Sequence, residues 1–224
     1  MPRLMSTLAL AGLLREAAPA LEAALGAAVT VELAPTRTLE ARIRAGERAD
    51  AAVLTAEAIA ALSAEGVLDG MTARPLAHSR VGLAVKAGAP HPDISSVEAL
   101  RSLLLAVPSL CYSRAGASGI FFAGLIERLG IADAVNAKAI VIPQGFTAEK
   151  LLTGEAAIAF QQVSELMEVP GIEVVGPLPE GAQTVAVFSA AAFTGATGGA
   201  ALLEAVGALC MPAALRAKGL EPPA

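Results

Sequence analysis

Strand-like and helix-like segments alternate almost from end to end of this chain, and that alternation restricts its fold more than any other feature. The first strand is expected at Arg3 to Met5, with a helix after the loop Ser6-Thr7. That helix carries Leu10, Leu13, Leu14, Ala17, Leu21 and Leu25 at three- and four-residue steps, one apolar face. Val29 to Leu33 and Ala51 to Leu54 read as the next strands. Between them Thr38 is placed as the N-cap of a helix through Ile43, closed by Gly46. Thr55 caps a helix ending at Gly66, and Ser79 to Lys86 is a strand before the break at Gly88-Ala89-Pro90-His91-Pro92. A capping box of Ser95 and Glu98 opens a helix. Leu110 to Ser113, Ala139 to Ile142, Ala157 to Phe160, Glu173 to Val175 and Val185 to Phe188 are further strands. Helices fall at Ser118 to Leu129, around Glu149 to Leu152, and at Ala201 to Leu209, with a last turn from Pro212. Strands that take turns with helices in this way predict an α/β fold, a mostly parallel sheet covered on both faces.

Composition removes several function classes. Of 224 residues, 55% are hydrophobic, but no run approaches the roughly 18 apolar residues that a membrane-spanning helix needs. Net charge is −5 with scattered basic residues, so neither nucleic acid nor membrane insertion is indicated. Aromatics make up 3% with no Trp, which argues against a sugar- or base-stacking cleft. Cys111 and Cys210 sit in apolar runs without metal-ligand spacing and read as buried free thiols. Phosphate loops and nucleotide fingerprints are missing too, so no cofactor is implied.

The amino terminus admits two readings. Arg3, the apolar Leu4 to Leu14 and the small Ala17-Ala18-Pro19-Ala20 resemble a secretory leader. The helical periodicity, however, runs straight through the supposed cleavage point. The structural reading is preferred, with a cytoplasmic location, or a periplasmic one if a leader lies upstream.

An ordered set of segments resembles the molybdate-binding, type II branch of periplasmic solute-binding proteins. The set is the Ser6-Thr7 turn, Arg44 to Val53, Gly88-Ala89-Pro90 with Pro92 to Ser95, Tyr112-Ser113 followed by Ala117 to Ile120, Glu127 to Ile131, and Ala217 to Pro222. The resemblance implies a two-lobed fold with mostly parallel mixed sheets, flanking helices and an inter-lobe cleft. Residues 1–80 with 190–224 would form one lobe and 81–189 the other. The cleft would close on a small anion.

Four loops are expected to bind it, because helix amino ends present unpaired N–H groups to anions. Ser6 and Thr7 are donors, or plain caps of the first helix. Thr36, Arg37 and Thr38 open the second helix. Arg114, Ser118 and Gly119 belong to a small-residue loop that a ligand can approach closely. Gln161 and Gln162 follow the Ala157 to Phe160 strand, and alternation turns only one of them toward the cleft. Tetrahedral oxyanion receptors of this fold are built from neutral donors, whereas Arg37 and Arg114 supply guanidinium forks suited to carboxylates. A di- or tricarboxylic acid is therefore expected over molybdate. An ABC permease is the partner if the protein is exported.

Two jobs fit such a cleft. One is binding alone. The other is cofactor-independent isomerisation of a small organic acid, since the resemblance also reaches aconitate isomerase. Tyr112, Glu165 and His78 are the candidates for moving a proton. Glu165 also reads as an exposed carboxylate at a helix start.

Overall fold

The computed structural model describes residues 1–223. In chain order, β1 (Arg3–Ser6) leads through a 3-10 turn into α1 (Ala11–Glu16) and α2 (Ala18–Leu25). There follow β2 (Thr30–Leu33), α3 (Thr36–Arg44), β3 (Ala51–Thr55), α4 (Ala56–Ala64) and β4 (Arg74–Lys86). The middle of the chain holds α5 (Val97–Ala106), β5 (Leu110–Ser113), α6 (Ala117–Arg128), α7 (Ala132–Asn136) and β6 (Ala139–Ile142). It continues through α8 (Glu149–Leu152), β7 (Ile158–Gln162), α9 (Val163–Leu166) and β8 (Ile172–Pro177). The last elements are β9 (Val185–Ala192), α10 (Gly199–Leu209) and α11 (Pro212–Ala217). None of the described helices is long and apolar enough to cross a membrane.

The chain divides into two compact units: Met1–Ser79 with the segment from Ala186 onward, and Arg80–Val185. In the first unit the strand order is β2-β1-β3-β9. β1 is parallel to β2 and β3, and β9 is antiparallel to β3. Strand alternation divides the apolar side chains between two faces. Leu4, Ala51, Val53 and Ala190 pack with Leu10, Leu13, Leu14, Leu202 and Val206 on one side. Met5, Ala52, Leu54 and Ala191 pack with Leu39, Ile43, Ile59 and Leu62 on the other. The apolar stretch from Leu4 to Leu14 is thus core on both counts. Arg3, Glu32, Arg42 and Glu47 form an ion-pair cluster joining β1, β2 and α3, with contacts of 2.5 to 2.7 Å.

In the second unit the order is β4-β7-β5-β6, with β8 also paired to β4. β5 is parallel to β6 and β7, while β7 and β8 are antiparallel to β4. Leu83, Leu110, Tyr112 and Phe160 meet Leu100, Phe122, Leu125 and Ile126 on one face. Ala84, Cys111 and Ala159 meet Ala148, Leu151 and Leu166 on the other.

Several local expectations are corrected. α3 begins at Thr36 with Pro35 as its N-cap residue, so Thr38 lies inside the first turn and does not cap it. Ser96, not Ser95, caps α5: its Oγ accepts from Ala99 N at 3.1 Å, while Ser95 N donates to Asp93 Oδ1 at 2.8 Å. β4 starts at Arg74, ahead of Ser79. Gln161 and Gln162 close β7 from within the strand.

Candidate functional site

β5 and β7 lie side by side in parallel, with Leu110 opposite Ile158 and Cys111 opposite Ala159, so they end together near Ser113 and Gln162. Carboxyl ends of neighbouring parallel strands are where open α/β sheets take ligands. Five buried side chains at these ends hold polar atoms without a hydrogen-bond partner. They are Ser113 Oγ, Ser118 Oγ, both amide atoms of Gln162, Ser164 Oγ and Glu165 Oε2. Each of the five side chains is between 1% and 5% exposed. A buried polar atom left unpaired costs about 1–3 kcal/mol, so proteins rarely leave several together.

Glycine sets the loop between β5 and α6. A Cβ on Gly119 would stand 1.6 Å from the Ser113 carbonyl oxygen, so only glycine lets the first turn of α6 press onto the end of β5. A Cβ on Gly116 would lie 2.8 Å from Ser113 Oγ and 3.8 Å from Ser118 Oγ, which places both hydroxyls beside Gly116. No side chain caps α6, so its leading N–H groups and the positive end of its twelve-residue dipole sit next to those hydroxyls. Arg114 anchors the loop through its backbone N–H, which donates to Ile142 O at 2.8 Å. Its guanidinium is exposed and pairs with no described carboxylate.

The two glutamines have different surroundings. Gln161 Oε1 accepts from Thr147 N at 2.8 Å and lies 3.0 Å from Thr147 Oγ1, while its Nε2 donates to Gly145 O at 2.9 Å. It ties the 145–147 loop to β7, and its amide is occupied within the protein. Gln162 points to the opposite face with both amide ends unpaired.

Glu165 corrects the expectation of an exposed carboxylate, since it is buried in α9. Burial pushes its carboxyl up to about 8, and the Gln161 side chain and the Gln162 backbone N–H offset this only in part. It is the third residue of a helix whose N-cap is Gln162, the geometry of a capping box turned inward. Below that range it is a neutral acid able to donate as well as accept.

Tyr112 and His78 have other surroundings. The Tyr112 hydroxyl donates to Asn136 Oδ1 at 2.9 Å, and its ring packs against Phe122 with centroids 5.0 Å apart, inside the apolar core. That bond engages its hydroxyl within the protein. His78 belongs to the first unit, where its backbone N–H and carbonyl exchange hydrogen bonds with Glu221 at 2.8 Å.

In the first unit Ser6 ends β1 and its Oγ donates to Thr7 O at 3.2 Å. Thr7 makes no side-chain capping bond, and its N–H donates to Val53 O at 2.9 Å. Thr36 is buried at the first position of α3, where no side chain caps the helix. Arg37 is exposed there without a carboxylate partner among the described residues. Groups of three or more His, Cys, Asp or Glu side chains able to hold a metal are absent among the described residues.

Ser113 and Ser164 lie outside the set of binding residues expected from the sequence. The signal for Ser113 was its place as the last residue of a short apolar strand. Ser164 stands between Gln162 and Glu165, where polar side chains crowd a strand end.

Known proteins share this architecture. The model of the bacterial extracellular solute-binding protein family matches residues 3–221. Over 186 residues, the chain is 34% identical to an aconitate isomerase from a Pseudomonas species, covering 80% of this chain and 71% of that protein. The periplasmic molybdate-binding protein of Azotobacter vinelandii superposes with a TM-score of 0.80 at 15% identity, covering all of both chains. The periplasmic binding protein AfuA of Actinobacillus pleuropneumoniae, with fructose-6-phosphate bound, gives 0.73 at 12% identity, covering 99% of this chain and 84% of that one. The two structures share the type II periplasmic-binding fold that the segment pattern implied. The chain belongs to the bacterial extracellular solute-binding protein family.

Proposed function

We propose that this chain binds a small organic acid with two or three carboxylates. The observation that carries the reading is the group of five buried, unpartnered side chains at the ends of β5 and β7. Four are neutral hydroxyl or amide groups and the fifth is an acid held neutral by burial, so a ligand anion meets donors without a competing carboxylate. The amino end of α6 adds positive potential. The unpaired guanidinium groups of Arg37 and Arg114 offer forks that match carboxylates two bonds at a time. Ser6, Thr7, Thr36 and Thr38 are further donor candidates in the first unit. An ABC permease is the partner where the protein serves uptake.

Calorimetric titration with di- and tricarboxylates and with molybdate tests this. Saturable heat from a carboxylate is the expected result. Tight molybdate binding with none from the acids would overturn it.

A second reading, cofactor-independent isomerisation of the same acid, is supported by Glu165 and by the aconitate isomerase relative. A carboxyl poised near 8 is a stronger base than an ordinary carboxylate when ionised. Glu165 would take a proton from one carbon, the C–H electron pair becoming the new double bond. The old π pair would then take the proton two carbons along. Proton NMR of an unsaturated tricarboxylate in deuterated water reads this directly. Protein-dependent deuterium incorporation that disappears in Glu165→Gln is expected; unchanged spectra leave binding alone as the function.

A further inference from the structure

We propose that Gln162 and Ser118 form a subsite for a group that both accepts and donates a hydrogen bond, so the acid preferred here carries a hydroxyl beside its carboxylates. The inference rests on the acid-binding reading and narrows it to hydroxy-acids.

The placement follows from packing. α6 leads from β5 toward the parallel strand β6, so it runs opposite to β5 and β7. Phe122 of α6 stacks on Phe160 of β7 with ring centroids 4.4 Å apart. Ser118 is one turn before Phe122 on the same helix face, and Gln162 is two residues beyond Phe160 on the same strand face. Because the elements are antiparallel, both steps lead the same way, by about 6 Å along the helix and about 6.6 Å along the strand. Ser118 therefore stands toward Gln162 as Phe122 stands toward Phe160.

Chemistry then selects the ligand. Gln162 is 1% exposed, with Nε2 and Oε1 both unpartnered. A hydroxyl such as that of Ser118 rotates to donate or accept, but an amide has one end of each kind. An ionised carboxylate or an oxyanion only accepts, so it can satisfy Nε2 but offers no donor to Oε1. A ligand hydroxyl next to a carboxylate serves both ends. Gln161 shows the contrast, since both ends of its amide are matched by the 145–147 loop.

The test is calorimetry with two matched pairs, malate against succinate and citrate against tricarballylate, using the full chain and Gln162→Met. The hydroxylated member of at least one pair should bind about tenfold more tightly or better. Gln162→Met should bring that pair within about twofold. Ser118→Ala supplies a second variant in which the preference must shrink, should Gln162→Met fail to fold. Equal affinities within both pairs, or a preference untouched by the substitutions, would overturn the subsite while leaving acid binding intact. No heat from any of the four acids would overturn both.

Discussion

Two groups of polar side chains, one in each unit, are handled in opposite ways. In the first, Arg3, Glu32, Arg42 and Glu47 are half-exposed and fully paired, fastening β1, β2 and α3 to one another. In the second, Ser113, Ser118, Gln162, Ser164 and Glu165 are buried, and each leaves a polar atom unpaired. The first arrangement holds a fold together. The second costs stability, and such a cost concentrates where binding is done. Gln161 and Gln162 show both policies in successive residues of one strand.

Gly119→Ala should have the largest effect. With its Cβ 1.6 Å from a backbone oxygen, α6 must lift off β5. A loss of about 3 kcal/mol or more is expected in urea unfolding, together with loss of acid binding. An ordinary stability would show that the close approach is not needed.

Glu165→Gln comes next. Its folded carboxyl is raised from 4.5 to about 8, so the folded chain keeps a proton that the unfolded chain has released. This contribution to stability is full below about pH 4.5, falls as pH rises through the window, and is level above about 8. The slope reaches about 1.4 kcal/mol per pH unit at most. Glu165→Gln should flatten that part of the stability–pH profile, and an unchanged slope would mean that Glu165 ionises freely.

Thr147→Val removes the hydroxyl beside Gln161 while keeping the shape. A loss of about 1–2 kcal/mol is expected, with Thr147→Ser restoring most of it.

Glu47→Gln is the mildest. Arg42 and Arg3 hold the Glu47 carboxyl down to about 2, so its stabilisation is present above about pH 4.5 and fades as pH falls toward 2. Melting curves of wild type and variant should differ at pH 7, converge near pH 2, and approach each other in high salt.

Much of the fold was legible because short apolar runs are bounded by strong breakers. β5 lies between Pro108-Ser109 and a glycine loop, and β6 runs up to Pro143. The expected start of α3 failed because Pro35 occupies the N-cap position that a hydroxyl usually takes, which puts Thr36 first. The expected cap, Ser95, is displaced by Ser96, whose Oγ accepts from Ala99 N while the Ser95 N–H donates to the Asp93 carboxylate. The site was less legible. Alternation separated Gln161 from Gln162, but which of them stays unpaired is decided by Thr147, fourteen residues earlier. The burial of Glu165 comes from the packing of α9 against β7 and β8, which no local pattern states.

If the unpaired groups at the ends of β5 and β7 are kept for a ligand, removing two of them should separate stability from affinity. Ser113→Ala with Ser118→Ala should leave the protein as stable as wild type or more so, by up to about 2 kcal/mol, because two unsatisfied hydroxyls are removed. Titration calorimetry should show the affinity for the bound acid falling about a hundredfold in the same protein. A variant that loses stability and keeps its affinity would contradict the account.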